Sequence, residues 1–167
     1  MPYTYEYPRP AVTVDIAVFG RLKGELVVLL IERKHEPFMG SWALPGGFVD
    51  ELEPLEVAAL RELREETGLT GVKLTQVGAF GDPGRDPRGH TVSVAFVTET
   101  DPETASVQAG DDAAQAEWHR WDELPIGRKA RPGELKLAFD HDNVLLAAKA
   151  KLSLMAGAGS LGPTIPT

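Results

Sequence analysis

The stretch from Gly47 to Leu69 carries most of the groups in this sequence that could do chemistry. It reads GFVDELEPLEVAALRELREETGL and contains seven carboxylates and two arginines. Because residues three and four apart lie on one face of a helix, Glu62, Glu65 and Glu66 would form one acidic stripe. Like charges at this spacing repel by roughly a few tenths of a kcal/mol per pair unless a cation lies among them. Oxygen ligands favour magnesium, manganese or calcium over zinc, so the stripe predicts a metal site.

The helix that would present this stripe has recognisable ends. Pro54 suits the first helical turn and Gly68 suits the left-handed position after the last one, so a helix over residues 54–67 is predicted. We expect a neighbouring stripe to pack on a sheet, and it contains Ala59, Leu60, Leu63 and Thr67. One side of the helix would then anchor it while another binds the metal. For a glutamate-rich helix taken alone, a solvated face balanced by Arg61 and Arg64 would be the better interpretation.

The residues around the acidic stripe favour the metal. Five residues separate Gly47 from Glu53, seven more precede Arg61, and the run RELREETGL ends the pattern at Leu69. This spacing resembles the box motif of the Nudix hydrolase family at every defining position. The motif covers only this segment, whereas the family fold that the resemblance implies would extend over most of the chain.

The resemblance implies an activity and the residues that support it. Nudix enzymes hydrolyse a diphosphate linkage joined to a further group, commonly a nucleoside, with Mg²⁺ or Mn²⁺ as cofactor. The metal ligands implied here are Glu62, Glu65, Glu66 and the carbonyl of Gly46. Arg61 and Glu53 would orient the helix and the loop before it, and Gly47 would let the substrate approach the backbone closely. The metal would offset phosphate charge and lower the pKa of an attacking water.

A second informative segment, GDPGRDPRGH, runs from Gly81 to His90. It contains Arg85 and Arg88, and guanidinium groups bind phosphate oxygens bidentately. An ion-paired turn held by Asp82 and Asp86 is the alternative. Together with the strand after it, the segment resembles the Nudix subgroup that includes ADP-ribose pyrophosphatases and the ligand domains of related regulators of NAD metabolism. We therefore expect Arg85, and also Arg88, to contact the substrate.

The acidic loop after residue 98 is a further source of carboxylates. Many Nudix enzymes take a metal ligand or a base from a loop at this stage. By that resemblance Asp112, in the pair Asp111 and Asp112, is the best-placed candidate, ahead of Glu103. The alternative is that the loop is simply solvated. The later segment DHD, residues 140–142, is interpreted as helix capping or solvated charge, because consecutive residues on a helix point apart.

The fold that the resemblance implies is an α/β/α sandwich around a mixed β-sheet. Apolar and β-branched runs agree with it and predict strands at 11–19, 25–32, 72–80, 91–98 and 117–121. A last helix over 134–155 should cover the sheet face opposite the metal helix. Trp118 and Trp121 are three residues apart, so on a strand they should face opposite sides of the sheet.

Composition limits the remaining possibilities. The 167 residues are 43% hydrophobic, which suits one domain, predicted at 11–155 between an arm at 1–10 and a flexible tail at 156–167. The net charge of -8 argues against a nucleic-acid partner, and the lack of cysteine excludes disulfides and thiolate chemistry. No run reaches the roughly 20 apolar residues that span a bilayer, and no signal peptide is recognisable. We therefore expect no membrane partner and a cytoplasmic location.

These patterns together predict metal-dependent hydrolysis of a small nucleotide, best represented by ADP-ribose split into AMP and ribose 5-phosphate. The alternatives within the family are oxidised nucleoside triphosphates, NADH and dinucleoside polyphosphates as substrates. A non-catalytic sensor of ADP-ribose or a related nucleotide is the alternative of another class. It is disfavoured because similar regulators carry an added DNA-binding domain and a sensor has no need of every box glutamate. Tyrosines at positions 3, 5 and 7 and the long last helix would suit a homodimer.

Overall fold

A computed structural model describes residues 2–110 and 112–160, and within them there are seven strands and two α-helices. The strands are β1 (Ala11–Leu22), β2 (Glu25–Arg33), β3 (Trp42–Ala43), β4 (Gly46–Phe48), β5 (Thr75–Phe80), β6 (Thr91–Glu99) and β7 (Ala113–Arg120). The helices are α1 (Leu55–Thr67) and α2 (His141–Ser160), with a short 3-10 turn at Trp121–Glu123. Among these residues, neither helix has the length and apolar character needed to cross a membrane.

The strands form one mixed sheet centred on β1. The order is β3-β2-β1-β6-β5; in addition, β4 pairs with β1 and β7 pairs with β2. β1 runs parallel to β6 and antiparallel to β2 and β4. Residues 13–20 of β1 are all buried, which explains why this strand is an almost continuous apolar run instead of an alternating one. The sheet is therefore mixed, as predicted.

Each face of the sheet is covered by one helix. Alternate residues of a strand point to opposite faces, so β1 and β2 contribute to two separate apolar layers. The layer under α1 contains Val14, Ile16, Val18, Leu29, Ala58, Ala59 and Leu63. The layer under α2 contains Ala17, Phe19, Val28, Leu30, Val144, Leu145 and Ala148. The prediction of an α/β/α sandwich with the last helix opposite α1 is confirmed.

The buried stripe of α1 differs by one residue from the prediction. Ala58, Ala59, Leu63 and Thr67 are buried, whereas Leu60 is 36% exposed. Ala58 takes the expected place of Leu60, so two alanines lie in the contact between α1 and the sheet. Glu62 and Glu66 on the neighbouring stripe lie against Gly47 and Gly46 of β4.

The last helix begins at His141, so the prediction that it starts near Glu134 is wrong. The segment before it pairs with the sheet: Trp42 N donates to Lys136 O at 2.7 Å and Ala138 N donates to Trp42 O at 2.8 Å. These bonds hold the backbone extended, and tertiary pairing thereby overrides the local helical pattern. The helix continues to Ser160, into the segment for which a tail was predicted, and residues 161–167 lie outside the described residues.

β7 begins at Ala113, earlier than the predicted start at residue 117, because its backbone pairs with β2 along most of its length. Trp118 packs on the layer under α1 and Trp121 packs on the layer under α2. The two tryptophans therefore lie on opposite sides of the sheet, as predicted, and both are half-buried.

Candidate functional site

The position of α1 is set by its ends and by its buried stripe. Pro54 precedes the helix in an extended conformation, and Gly68 ends it with φ 74°, a left-handed value that favours glycine. Gly68 N donates to Arg64 O at 2.8 Å, and Thr67 Oγ1 donates to Leu63 O at 2.6 Å. These local bonds define the end of the helix, while its buried stripe holds it on the sheet with Glu62 against Gly47 and Glu66 against Gly46.

Arg61 ties the helix to the loop before it. Its Nε donates to Glu53 Oε2 at 2.8 Å and its Nη2 donates to Glu53 Oε1 at 3.0 Å, while Nη2 also reaches Phe48 O at 3.1 Å. The hydrogen bonds from Arg61, with one from the Asp50 backbone, lower the pKa of Glu53 to about 2. The bidentate pair joins the two residues that the sequence predicts as supporting groups.

Glu62 and Glu65 both contact the same guanidinium. Arg61 Nη1 lies 2.9 Å from Glu62 Oε1 and 3.1 Å from Glu65 Oε2. The Glu62 side chain is 13% exposed and packs against Gly47, where an added Cβ would lie 2.6 Å from Glu62 Oε1. Burial raises the pKa of Glu62. A side chain at position 47 would therefore displace the Glu62 carboxylate from its present place.

Glu66 is the most perturbed of the three glutamates. Its Oε2 accepts a hydrogen bond from Gly46 N at 3.0 Å. Burial raises its pKa to about 8, and the nearby charges of Glu62 and Asp15 act in the same direction. The surroundings therefore disfavour the charged form of Glu66, and a bound cation would favour its ionisation.

The donor set fits a hard divalent cation. Glu62 and Glu65 turn towards Arg61 while Glu66 turns towards Gly46, so the three carboxylates do not converge on one point. In the described part of the chain, no three histidine, cysteine, aspartate or glutamate side chains are gathered as a metal-ligand cluster. The groups are nevertheless all oxygen donors, and the raised pKa of Glu66 marks the place where a cation would be stabilised.

A cleft of about 280 Å³ opens beside Glu66 and the backbone of Gly46 and Gly47. Asp112 lies at its rim, with a side chain 79% exposed and its Oδ1 4.0 Å from Nε2 of His35. Asp111 lies outside the described residues. Glu103 is exposed and is not part of the cleft wall, so of these loop carboxylates Asp112 is the one that the structure places near Glu66.

Both arginines of the Gly81 to His90 segment line the cleft, and both already hold a carboxylate. Arg85, with 5% of its side chain exposed, donates from Nε and Nη2 to Asp140 at 3.0 and 2.6 Å. Arg88 donates from Nε and Nη2 to Asp86 at 3.0 and 2.7 Å and lies 4.9 Å from the ring centre of Phe48. The ion-paired alternative therefore describes Arg88, whereas Arg85 pairs with a residue outside the segment.

The interpretation of residues 140–142 as capping or solvated charge is wrong for the first two. Asp140 binds Arg85, and His141 is 3% exposed, with its Nδ1 3.0 Å from Leu44 N. Only Asp142 behaves as predicted, accepting a hydrogen bond from Gly127 N at 3.2 Å on the surface. The backbone pairing that shortens α2 places Asp140 and His141 at the helix start, where Asp140 binds Arg85 and His141 lines the cleft.

Two further cleft residues escaped the reasoning from sequence. Asp15 lies in the middle of β1, 7% exposed, and accepts a hydrogen bond from Ser93 Oγ. Burial would raise the pKa of Asp15, but His141 and Ser93 together lower it below its usual value. Arg33, at the end of β2, donates from Nε to Pro37 O at 2.7 Å and lies 4.9 Å from the ring centre of Phe139. A charged residue inside the apolar run AVTVDIAVF was the signal that could have identified Asp15.

Comparison with known proteins agrees with this geometry. A profile of the NUDIX domain matches residues 9–140. The chain is 42% identical over 139 residues to an ADP-ribose pyrophosphatase of Methanocaldococcus jannaschii, covering 83% of this chain and 73% of that protein. It is 38% identical over 150 residues to the ADPR responsive transcriptional repressor NtrR of Acinetobacter baylyi, covering 89% of this chain and 56% of that one.

A solved structure gives the same picture. The NUDIX domain of Shewanella oneidensis NrtR, complexed with ADP ribose, has a TM-score of 0.75 and 30% sequence identity, over 87% of this chain and 90% of that chain. The chain thus spans most of the archaeal pyrophosphatase but little more than half of the Acinetobacter repressor.

Proposed function

Because this chain belongs to the Nudix family of pyrophosphohydrolases, we propose that it hydrolyses ADP-ribose to AMP and ribose 5-phosphate by attack of water on phosphorus. The observation that carries the proposal is the half-buried Glu66 carboxylate bonded to the Gly46 backbone, in a cleft that is also lined by guanidinium groups. Anionic and cationic groups facing each other across one cleft suit a metal-bound diphosphate.

The proposed cofactor is Mg²⁺ or Mn²⁺, held by Glu62, Glu65, Glu66 and the carbonyl of Gly46. When bound, it would neutralise diphosphate charge and lower the pKa of a water. Glu65 is 46% exposed and contacts Arg61, and we propose that its side chain turns from Arg61 towards the cation when the metal binds. Asp112 at the rim is the proposed further carboxylate, as ligand or base.

The chain's own groups would hold the substrate and the helix. The Glu53 and Arg61 pair keeps α1 against the loop before it. Arg85 and Arg88 use Nε and Nη2 for their carboxylates, and we propose that Nη1 of each contacts the substrate's phosphate oxygens. The backbone at Gly47 forms part of the cleft wall beside them.

A nucleotide sensor is the second candidate, because one relative is named an ADPR responsive transcriptional repressor and a similar domain is complexed with ADP ribose. The absence of a nucleic-acid partner stays a prediction from the net charge of -8. The complete set of box glutamates favours hydrolysis, since ligand binding alone would not need a buried carboxylate facing the diphosphate site.

The deciding experiment measures AMP release from ADP-ribose with Mg²⁺, with Mn²⁺ and with chelator. A panel of oxidised nucleoside triphosphates, NADH and diadenosine polyphosphates is assayed beside it. Metal-dependent preference for ADP-ribose supports the proposal. Preference for another panel member would support the metal-binding role of α1 but reject ADP-ribose as the substrate. ADP-ribose binding without turnover of any compound would favour the sensor.

A further inference from the structure

His141 uses both of its ring nitrogens inside the protein. Leu44 N donates to Nδ1 at 3.0 Å, and Nε2 lies 3.5 Å from Asp15 Oδ1. Because a backbone N–H can only donate, Nδ1 carries no proton, and the ring proton of the neutral form is on Nε2, facing Asp15. His141 therefore has no free nitrogen with which to take a proton from water or substrate. What it can do is hold other groups in place.

The group on the far side of this contact is Asp15, which supports Gly46. The two residues are paired across β1 and β4, and a Cβ added at Gly46 would lie 2.6 Å from Asp15 Oδ1 and 2.1 Å from Val14 O. The Gly46 backbone thus rests directly on the carboxylate. Ser93 Oγ donates to the other oxygen of Asp15 from β6, which fixes the orientation of the carboxylate.

Gly46 in turn faces the metal helix, because its N–H donates to Glu66 Oε2 at 3.0 Å. The segment from Leu44 to Gly46 is therefore held at two points by one side chain. His141 binds Leu44 directly, and it reaches Gly46 through Asp15. Moving the ring by a fraction of an ångström would shift the backbone that faces Glu66.

Stability alone does not explain this arrangement. Replacing buried charged groups by apolar residues of similar size is often neutral or stabilising, since desolvation offsets their attraction. Asp15 lies in a strand whose neighbouring positions are apolar and buried, so an apolar residue would suit the core there. A buried aspartate, serine and histidine that meet behind Gly46 are better explained by the backbone that they orient.

We propose that His141 and Asp15 are positioning residues that hold the Leu44 to Gly46 backbone in the place where it binds the divalent cation together with Glu66. The inference rests on the proposed function, in which Gly46 and the box glutamates hold Mg²⁺ or Mn²⁺. The inference gives His141, at the start of α2, a role in metal binding: it orients the Gly46 backbone, which α1 does not do by itself.

The experiment titrates MnCl₂ into the intact chain and its variants by calorimetry, well below the melting temperature of each, without any nucleotide. His141→Ala is expected to weaken Mn²⁺ binding about 10-fold or more, the usual effect of losing a group that orients a metal ligand. His119→Gln is the matched control, because His119 is a half-buried histidine on β7 outside the cleft wall, and it should bind Mn²⁺ as the wild type does.

Two conservative variants separate the two contacts and guard against a folding defect. In His141→Asn the amide oxygen lies near the position of Nδ1 and can accept from Leu44 N, whereas in His141→Gln the amide nitrogen lies near Nε2 and can donate to Asp15. Each should bind Mn²⁺ with an affinity between those of the wild type and His141→Ala. Asp15→Asn, of almost unchanged size, should weaken binding as well.

Unchanged Mn²⁺ affinity in all of these folded variants, even with a lowered melting temperature, would show a purely structural role and overturn the inference. Loss of affinity in proportion to the contacts removed would support it. If the wild type binds Mn²⁺ but hydrolyses no nucleotide, the proposed activity fails while the Mn²⁺ comparison still decides the role of His141. If the wild type hydrolyses ADP-ribose and the variants bind Mn²⁺ equally well, only the positioning role fails.

Discussion

The two sides of the site differ in how far apart in the sequence their contacting residues lie. We call them the α1 wall (Glu53, Arg61, Glu62, Glu65 and Glu66) and the α2 wall (Leu44, Arg85, Asp140 and His141). In the α1 wall, Arg61 contacts Glu62 next to it, Glu65 four residues on and Glu53 eight residues back. In the α2 wall, Arg85 contacts Asp140 across 55 residues, and His141 contacts Leu44 across 97. The helix and the short loop before it supply the first set of contacts, whereas the second exists only once the sheet has formed.

The difference explains why the motif identifies one wall and not the other. Residues at short, regular spacing meet whenever a helix forms, so a pattern of residue types predicts their contacts. Contacts across the sheet depend on strand order and register, which no short motif contains. The α1 wall should therefore govern metal binding, while the Arg85 part of the α2 wall should govern substrate affinity.

The largest expected effect is that of Glu66→Gln in the α1 wall. Glutamine keeps the size of the side chain and an oxygen that can accept from Gly46 N, but it removes the charge that would bind the cation. Turnover of ADP-ribose should fall by about 100-fold or more, since losing even an outer group of a metal site costs about 10- to 100-fold. Initial rates at saturating Mg²⁺ measure this.

The control for that variant is Glu56→Gln, an exposed position in the first turn of the same helix, which should keep its full rate. Because the surroundings of Glu66 raise its pKa and so disfavour its charged form, the melting temperature of Glu66→Gln should be no lower than that of the wild type. Full activity in Glu66→Gln would reject the metal assignment.

Arg61→Lys should have the next largest effect. Lysine cannot form the bidentate pair with Glu53 while also reaching Glu62 and the carbonyl of Phe48, because its ammonium lacks the planar fork. We expect Mn²⁺ affinity to fall by about 10- to 100-fold in calorimetric titrations. Arg64→Lys, on the exposed side of α1, should leave the affinity unchanged. Equal affinities in the two variants would show that the Arg61 contacts do not orient the glutamates.

Asp140→Asn tests the α2 wall and should weaken substrate binding without changing metal binding. The change leaves the enclosed Arg85 with a weaker partner, so the free energy of unfolding should fall by about 1–3 kcal/mol. The KM for ADP-ribose should rise several-fold as Arg85 loses its fixed orientation, whereas Mn²⁺ affinity should stay the same.

Asp142→Asn provides the comparison for this variant, because Asp142 lies two residues on, is half-buried and accepts from Gly127 N instead of contacting Arg85. It should change neither KM nor stability. A fall in Mn²⁺ affinity in Asp140→Asn would show that the two walls are not separable in the way that their contacts indicate.

The smallest effect is expected from pH acting on the Glu53 and Arg61 pair. The pKa of Glu53 is lowered from 4.5 to about 2, so the pair contributes stability that is fully present above pH 4.5 and is lost as the pH falls towards 2. The melting-temperature difference between the wild type and Glu53→Gln should be constant from pH 7 to 5 and should shrink below that range. A difference that grows on acidification would contradict the lowered pKa.

Several features of the fold were accessible from the sequence because they depend on local patterns. The strands near 11–19, 25–32 and 91–98 follow from apolar runs, and the ends of α1 follow from Pro54 and Gly68. The start of α2 was not accessible in this way. Its preceding segment has a helical pattern, but hydrogen bonds to Trp42 hold it extended.

The sequence by itself determined the acidic stripe of α1, the place of Arg61 beside it and the presence of two arginines in one polar segment, because these depend on residue type and spacing within one segment. Only the tertiary structure decided that Arg85 is held by Asp140 and that Asp15 and His141 meet behind Gly46. The physical reason is that these pairs lie on separate elements, and their distances are set by strand pairing and by the docking of α2 on the sheet.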